Sequence, residues 1–402
     1  MSSAELQNRN CGLDLYRITA MVMITILHLN NQHFGLLEKS QSEAVFRAGW
    51  LIEYFCFAGV NCFAIISGYF LGGKSDRYDR KWFAHLAGFY GKIVLWYIVL
   101  SLVCKFILHL GYGFFRKENY PEILFSPLNG WWYISAYIGV LALLPLVNRG
   151  LKGLTGRELG KISLLLTVIF SLLPLHILYT DSLGVASGYS TIWLLVCFIL
   201  GTALRENQAV FSRMKYIRCI ALAVFIICSL LPAYLHLYAL QENVDDYARF
   251  LNYNSPFCVI QAVALFVFFN QLKVRVAWLQ KLIVWVSANS LGIYLVQTFQ
   301  WIWYDLVISN PKPFYPAEEL GWRMLYMLLL LILNGLLCNM LVEKLFALLR
   351  IKALAGSVCD WTVEGVRSLQ SGKRNYTALV KLLLIVLLAV IVMVITWQWK
   401  KL

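Results

Sequence analysis

The sequence predicts an all-α fold, a polytopic transmembrane helical bundle with its N-terminus in the cytoplasm. Three observations carry that prediction. Apolar segments of about twenty residues recur along the whole 402-residue chain. The chain is 60% hydrophobic and only 14% charged, where a soluble domain is about a quarter charged. Its basic residues gather in alternate connections. A hydrocarbon core about 30 Å thick is crossed by about twenty helical residues, so each apolar segment is long enough for one crossing. The segments fall near 13–32, 49–72, 84–108, 130–148, 161–179, 189–204, 218–237, 256–271, 281–304, 322–349 and 378–399, eleven spans in all.

The net charge of +14 is placed for a membrane and not for nucleic acid. Lys74, Arg77, Arg80 and Lys81 lie between spans two and three, and Arg149, Lys152, Arg157 and Lys161 between four and five. Arg205, Arg213, Lys215 and Arg218 follow span six, and Lys273, Arg275 and Lys281 follow span eight. The intervening connections are neutral or acidic, with Glu242, Asp245 and Asp246 in one and Glu318 and Glu319 in another. Basic loops on alternate sides are the positive-inside pattern, which puts them and the N-terminus in the cytoplasm. Lys400 and Lys401 then fall outside, against the pattern. The ten cysteines form no CxxC pair and sit mostly inside spans. They read as small buried hydrophobes, with no disulfide framework and no metal site.

The first span, Gly12 to His28, is apolar apart from Asp14, Arg17 and His28. These charges, and the lack of a small-x-small cleavage site, argue against a cleaved signal peptide. Arg17 and His28 are eleven residues apart, close to three helical turns, so they share a face about 16 Å apart along the axis. Ionisable groups at membrane depth are costly and mark functional sites. Asp14 is three residues before Arg17 and is in register to pair with it as structural support. His28 can serve as general base or nucleophile in acyl transfer. The plainer reading is that Arg17 and His28 only tie helices together.

The second span holds Glu53, Asn61, Ser67 and Tyr69. Glu53 is placed to pair with Arg47 or to hold an acceptor. Asn61, Ser67 and Tyr69 either line a substrate cavity beside span one or, in the case of Ser67-Gly68, permit close helix packing. The loop after this span runs through Gly72-Gly73-Lys74 to Arg77-x-x-Arg80-Lys81. Two arginines three apart on a helical turn can grip one polyanion with their planar forks, or the loop is an ordinary basic connection. Trp131 and Trp132 open span four at the outer interface, as belt anchors ahead of substrate stacking. His85 and His109 sit at the ends of span three, and His176 and His236 near the outer ends of spans five and seven, where interfacial solvation explains them. The outward connections carry aromatics: Tyr112, Phe114, Phe115 and Tyr120; Tyr247 and Tyr253; Phe314 and Tyr315. These read as a membrane-interface belt or as sugar-stacking surfaces. Residues 350–377 form either a short amphipathic helix on the cytoplasmic membrane surface or a plain linker.

Taken in order, these segments are similar to the membrane acyltransferase-3 family, integral membrane O-acyltransferases of bacterial surface glycans. The resemblance rests on Arg17 and His28 in span one, Phe63-Ala-Ile-Ile-Ser67-Gly68-Tyr69-Phe70-Leu71, and Arg77-x-x-Arg80. It extends through Trp131-Trp132-Tyr133 to Asn148, and through Ser290-Leu-Gly-Ile-Tyr294-Leu-Val-Gln297. It implies a membrane acyltransferase domain of ten core spans over 1–349, a cytoplasmic linker over 350–377, and one added C-terminal transmembrane helix over 378–402. His28 would then be catalytic with Arg17 as its partner. Arg77, Arg80 and Lys74 would bind the donor, acetyl-CoA or another short acyl-CoA, with no metal. Asn61, Ser67, Tyr69 and Glu53 would be substrate-binding. Gln297 stands where relatives often carry histidine and is assigned no proton-transfer role.

The implied setting is the bacterial cytoplasmic membrane. The implied partners are membrane lipids, a glycan or lipid-linked sugar acceptor, and other glycan-assembly membrane proteins. Two other readings remain. A transporter or flippase of lipid-linked sugar explains the spans and a charged cavity, but not Arg17 and His28 together with the Arg77/Arg80 loop. A glycan polymerase calls for arginine-rich outer loops, and here Arg116 and Arg249 are the main ones.

Overall fold

The structure, a computed structural model, describes residues 9–109, 130–178, 183–242, 250–308, 315–370, 377, 380, 381, 383 and 384. Every regular element among them is a helix. In chain order these are α1 (Cys11–Leu27), α2 (Glu43–Cys56), α3 (Gly59–Leu71), α4 (Arg80–Val103), α5 (Trp132–Leu151) and α6 (Gly156–Thr167). There follow α7 (Thr191–Glu206), α8 (Gln208–Arg213), α9 (Ile217–Gln241), α10 (Pro256–Asn270), α11 (Ala277–Gln297), α12 (Ala317–Leu348) and α13 (Ile351–Gln370).

Among the described residues, eight helical stretches are long and apolar enough to cross a membrane, against the eleven spans expected of the whole chain. Two of the expected spans, α7 with 16 residues and α10 with 15, are shorter than a full crossing. The eleventh, near 378–399, lies almost wholly outside the described residues, as do Tyr112, Phe114, Phe115, Tyr120, Tyr247 and Phe314. Of the two readings of the segment after residue 349, amphipathic helix or plain linker, most of it is helical, as α13.

Two compact units are present. The first comprises Met1–Lys74, Gly150–Thr298 and Ile302–Asn339, and the second Ser75–Arg149, Phe299–Trp301 and Met340–Leu402.

In the first unit α1 is central, packing against α2, α3, α10 and α11. Its start is fixed by Asn10, whose side chain accepts from Gly12 N and donates to Asn270 Oδ1 at 2.9 Å. Gly12 lets α1 touch the end of α10, since a Cβ there would lie 1.9 Å from the Phe269 carbonyl oxygen. The single span expected over 49–72 is broken at Phe57–Ala58 into α2 and α3. α3 and α7 pack through reciprocal glycines: a Cβ on Gly68 would meet the Phe198 oxygen at 1.9 Å, and one on Gly201 the Ile65 oxygen at 2.0 Å. Ser67-Gly68 therefore acts here as a close-packing element. Replacing Gly201 with alanine is expected to force the two backbones apart and cost about 1–3 kcal/mol, read as a lower thermal midpoint in detergent. An unchanged midpoint would contradict this packing.

In the second unit α13 runs antiparallel to the first turns of α4. Gly356 lies against Arg80, Lys352 beside Gly88, and Ile351 beside Gly91. Two ion pairs hold α4: Arg80 with Asp360 at 2.7 Å, and Lys92 with Glu343. Asp79 caps α4 by accepting from Trp82 N at 2.8 Å.

Candidate functional site

α1 carries Arg17 and His28 on one continuous helix, with His28 still in helical conformation as its C-cap. From His28 the helix widens into a π turn through His33. Such turns are rare and often accompany functional sites. The turn lies beside a second π segment, Trp303–Val307, tied by His33 Nδ1 donating to the Val307 oxygen at 3.0 Å.

The His28 ring packs edge-on against Trp303, with centroids 4.8 Å apart. The Gln297 amide, at the end of α11, comes alongside the imidazole without reaching hydrogen-bond geometry. His28 Nδ1 and both polar atoms of Gln297 are buried and make no hydrogen bond among the described residues. Two residues further along the π turn, Asn30 is fully buried and its Oδ1 is likewise unpaired. Unpaired polar groups in a buried place cost about 1–3 kcal/mol each, so the unpaired Nδ1 of His28 beside an unpaired Gln297 amide marks a candidate reactive site. Residue spacing alone did not signal Gln297 or Trp303, because their proximity to His28 arises from the packing of α11 and the second π segment.

Arg17 is half-buried. Its Nη1 donates to Ser287 Oγ on α11 at 3.4 Å, and its guanidinium lies 5.8 Å from the Phe70 ring centroid. Arg17 and His28 thus face the same helix, α11, through Ser287 and Gln297. Asp14 takes Arg9 as its partner where Arg17 was expected: Arg9 donates to both carboxylate oxygens at 2.6 and 2.7 Å. That bidentate contact raises the Arg9 pKa and holds its guanidinium charged at the mouth of α1.

The expected pairing of Glu53 with Arg47 is also replaced. Arg47 bonds Glu43 one turn earlier, at 2.7 and 3.0 Å, while buried Glu53 accepts from Asn30 Nδ2 at 2.8 Å. Glu53 is therefore linked to the turn that carries His28.

Asn61 sits at the junction of α3, α7 and the start of α10. It donates to the Tyr253 oxygen at 2.7 Å and to Cys258 Sγ, and its Oδ1 accepts from Trp193 Nε1 at 2.9 Å. Both ends of its amide are spent on the fold. Ser67 Oγ donates back to the Phe63 oxygen within α3, and Tyr69 OH donates to Gln208 Oε1 at 2.8 Å. Gly72 packs against Thr202, and Gly73 takes a left-handed φ of 69°, so this glycine pair ends α3. Lys74 follows it, exposed.

In the second unit Arg77 is exposed and makes no hydrogen bond or ion pair with any described residue. Arg80, three residues on, has Nε engaged by Asp360 of α13. The two arginines differ in availability, a distinction the Arg-x-x-Arg spacing did not reveal.

Two other expectations are corrected. Trp131 is 2% exposed and packs among Tyr97 and Phe299, so it is a core residue and no interfacial anchor. His236 is buried, sits edge-on to Trp50 and shares a hydrogen bond with Tyr54 OH at 3.1 Å. Interfacial solvation does not explain it, although His85 and His109 are exposed as that account requires. The His176 side chain lies outside the described residues.

Compared with known sequences, residues 10–342 match the model of a family described as an acyltransferase domain. No curated protein and no solved structure matches the chain.

Proposed function

We propose, from the premise that this chain belongs to the acyltransferase-3 family, that it moves a short acyl group from acyl-coenzyme A to a hydroxyl of a bacterial surface glycan or its lipid-linked precursor. Family membership makes it a membrane acyltransferase. Acetyl as the group, coenzyme A as the carrier and a glycan as the acceptor are the finer reading. The observation that carries it is the buried, unpaired His28 Nδ1 beside Gln297.

In this reading His28 takes the proton from the acceptor hydroxyl as the oxygen attacks the thioester carbonyl. The thiolate that leaves recovers a proton from the imidazolium, so the products are an ester and a free thiol. A histidine kept from bulk water can hold its proton for the leaving group, and the thioester is shielded from hydrolysis. Arg17, half-buried on the same helix, orients the donor's polar groups. Arg77 contributes an exposed guanidinium for the donor's phosphates.

Thiol release from acetyl-CoA by the purified protein in lipid, with crude cell-surface glycan added, tests the reading. Release that depends on both protein and glycan supports it. No release from any short acyl-CoA overturns it in favour of a transporter of lipid-linked sugar. Replacing Arg77 with alanine is expected to raise the acetyl-CoA concentration for half-maximal release about tenfold, the low end for one charge-assisted contact. The rate at saturating donor should stay the same. An unchanged donor requirement would remove Arg77 from the donor site.

A further inference from the structure

We infer that the Gln297 carboxamide is a catalytic group: its Nε2–H donates to the thioester carbonyl oxygen as that oxygen takes on negative charge. The inference rests on the acyl-transfer reading above and names a second residue for that same site.

Among the described buried amides of the first unit, Gln297 differs in leaving both polar atoms unpaired, where Asn30 and Asn254 leave only Oδ1 so. Gln261, 2% exposed, donates to the Tyr54 oxygen at 2.9 Å and to Ser229 Oγ at 2.7 Å. Asn61, fully buried, uses both ends of its amide. Gln297 has the same burial, with 0% of its surface exposed, yet neither Nε2 nor Oε1 has a partner among the described residues. An amide that is fully buried, unpaired at both ends and set beside the candidate base is an unfavourable arrangement for the fold. It lies where α1 changes to a π turn. Sites that trade stability for reactivity have this character.

The chemistry of the pair is complementary. His28 supplies a lone pair, and the glutamine amide supplies N–H donors with no proton it can lose at neutral pH. When the acceptor oxygen attacks the carbonyl carbon, a C–O bond forms, the carbonyl π electrons move onto oxygen, and the hydroxyl proton passes to His28. The developing oxyanion then accepts from Gln297 Nε2–H. When it collapses, the C–S bond breaks, and the thiolate takes the proton back from His28. A fixed donor in a water-poor place favours the charged intermediate far more than it would in water. Arg17 is about 16 Å away along α1, too far to serve that oxygen directly.

The test is Gln297→Met, which keeps side-chain length and apolar volume but removes both polar ends, assayed beside Gln297→Glu, which keeps the shape without the N–H donors. The readouts are thiol release at saturating acetyl-CoA, equilibrium binding of acetyl-CoA, and thermal midpoint in detergent. The expected result is a fall in kcat of about 10²–10³-fold for both variants, the size seen when one oxyanion donor is removed. Donor affinity should hold within about twofold, and the Gln297→Met midpoint should stay at or above wild type because two unpaired buried groups are gone. A structural role would lower the midpoint and leave turnover per folded molecule intact. That outcome, or wild-type kcat in Gln297→Met, overturns the assignment. A wild-type protein that releases no thiol overturns the acyl-transfer reading itself, and the wild-type control keeps the two failures apart.

Discussion

Alanine at His28 is expected to lower glycan-dependent thiol release by at least a hundredfold, with the fold and acetyl-CoA binding retained. The magnitude follows from its role: a positioned general base contributes about 10²–10⁴-fold, and a nucleophile more. The specificity follows from its surroundings. His28 makes no hydrogen bond through Nδ1 to any described residue and meets Trp303 edge-on, so its removal breaks little that holds the helices together. α1 stays fixed by Asn10 at its start and by the close approach of Gly12 to α10. A purely structural histidine would behave in the opposite way, with the thermal midpoint falling and turnover per folded molecule persisting. The measurement is turnover, donor binding and melting on one preparation. Near-wild-type turnover in the alanine variant would remove His28 from the chemistry.

Much of the architecture was legible because membrane helices announce themselves by length and apolarity. The starts of α1, α4 and α11 were each within about four residues of the expected span. What was not legible depends on neighbours distant in sequence. The break at Phe57–Ala58 falls inside an unbroken apolar run, and Gly59 just after it faces the Ala20 oxygen of α1 at close range. The π turn at His28 has no residue signature, since widening a helix by one residue per turn is decided by what packs against it. Asp14 chose Arg9 over Arg17, and Glu53 chose Asn30 over Arg47. In both cases helix spacing suggested a partner, and the three-dimensional packing supplied another.

The candidate site divides in the same way. Arg17 and His28 were found from spacing because both lie on one helix, where periodicity is reliable. Gln297 was noticed only as a departure from a resemblance, and it emerged as a possible reacting group from its burial and its unpaired atoms. α13 lies in a segment that sequence left open between an amphipathic helix and a plain linker, because Glu364 and Arg367 break the long apolar pattern. The helix docks on α4, where Gly88 and Gly91 open a path for Lys352 and Ile351, and Asp360 meets Arg80. That ion pair is solvent-exposed on both sides, so its contribution to stability is small. Its consequence is that Arg80 shares its charge with a carboxylate while Arg77 does not.

Asn61 separates a structural polar residue from a substrate-binding one, and its replacement should produce the largest loss of stability among the polar groups of α3. Its amide joins three elements: the donor end reaches the Tyr253 oxygen and Cys258 Sγ, and the acceptor end takes the Trp193 indole N–H. Trp193 is fully buried and Tyr253 is 7% exposed, so water cannot replace what Asn61 supplies. Asn61→Ala strands the indole N–H and one carbonyl and leaves a small void, an expected cost of about 2–4 kcal/mol. Asn61→Asp restores an acceptor for Trp193 but loses the donor to Tyr253 and adds a buried charge, so it should not recover the loss. Thermal unfolding in detergent measures both. Were Asn61 instead a contact for the acceptor, the alanine variant would melt like wild type and need more glycan for half-maximal turnover. With four neighbours already holding both ends of the amide, the expected outcome is a protein that melts early and, while folded, binds its acceptor as before.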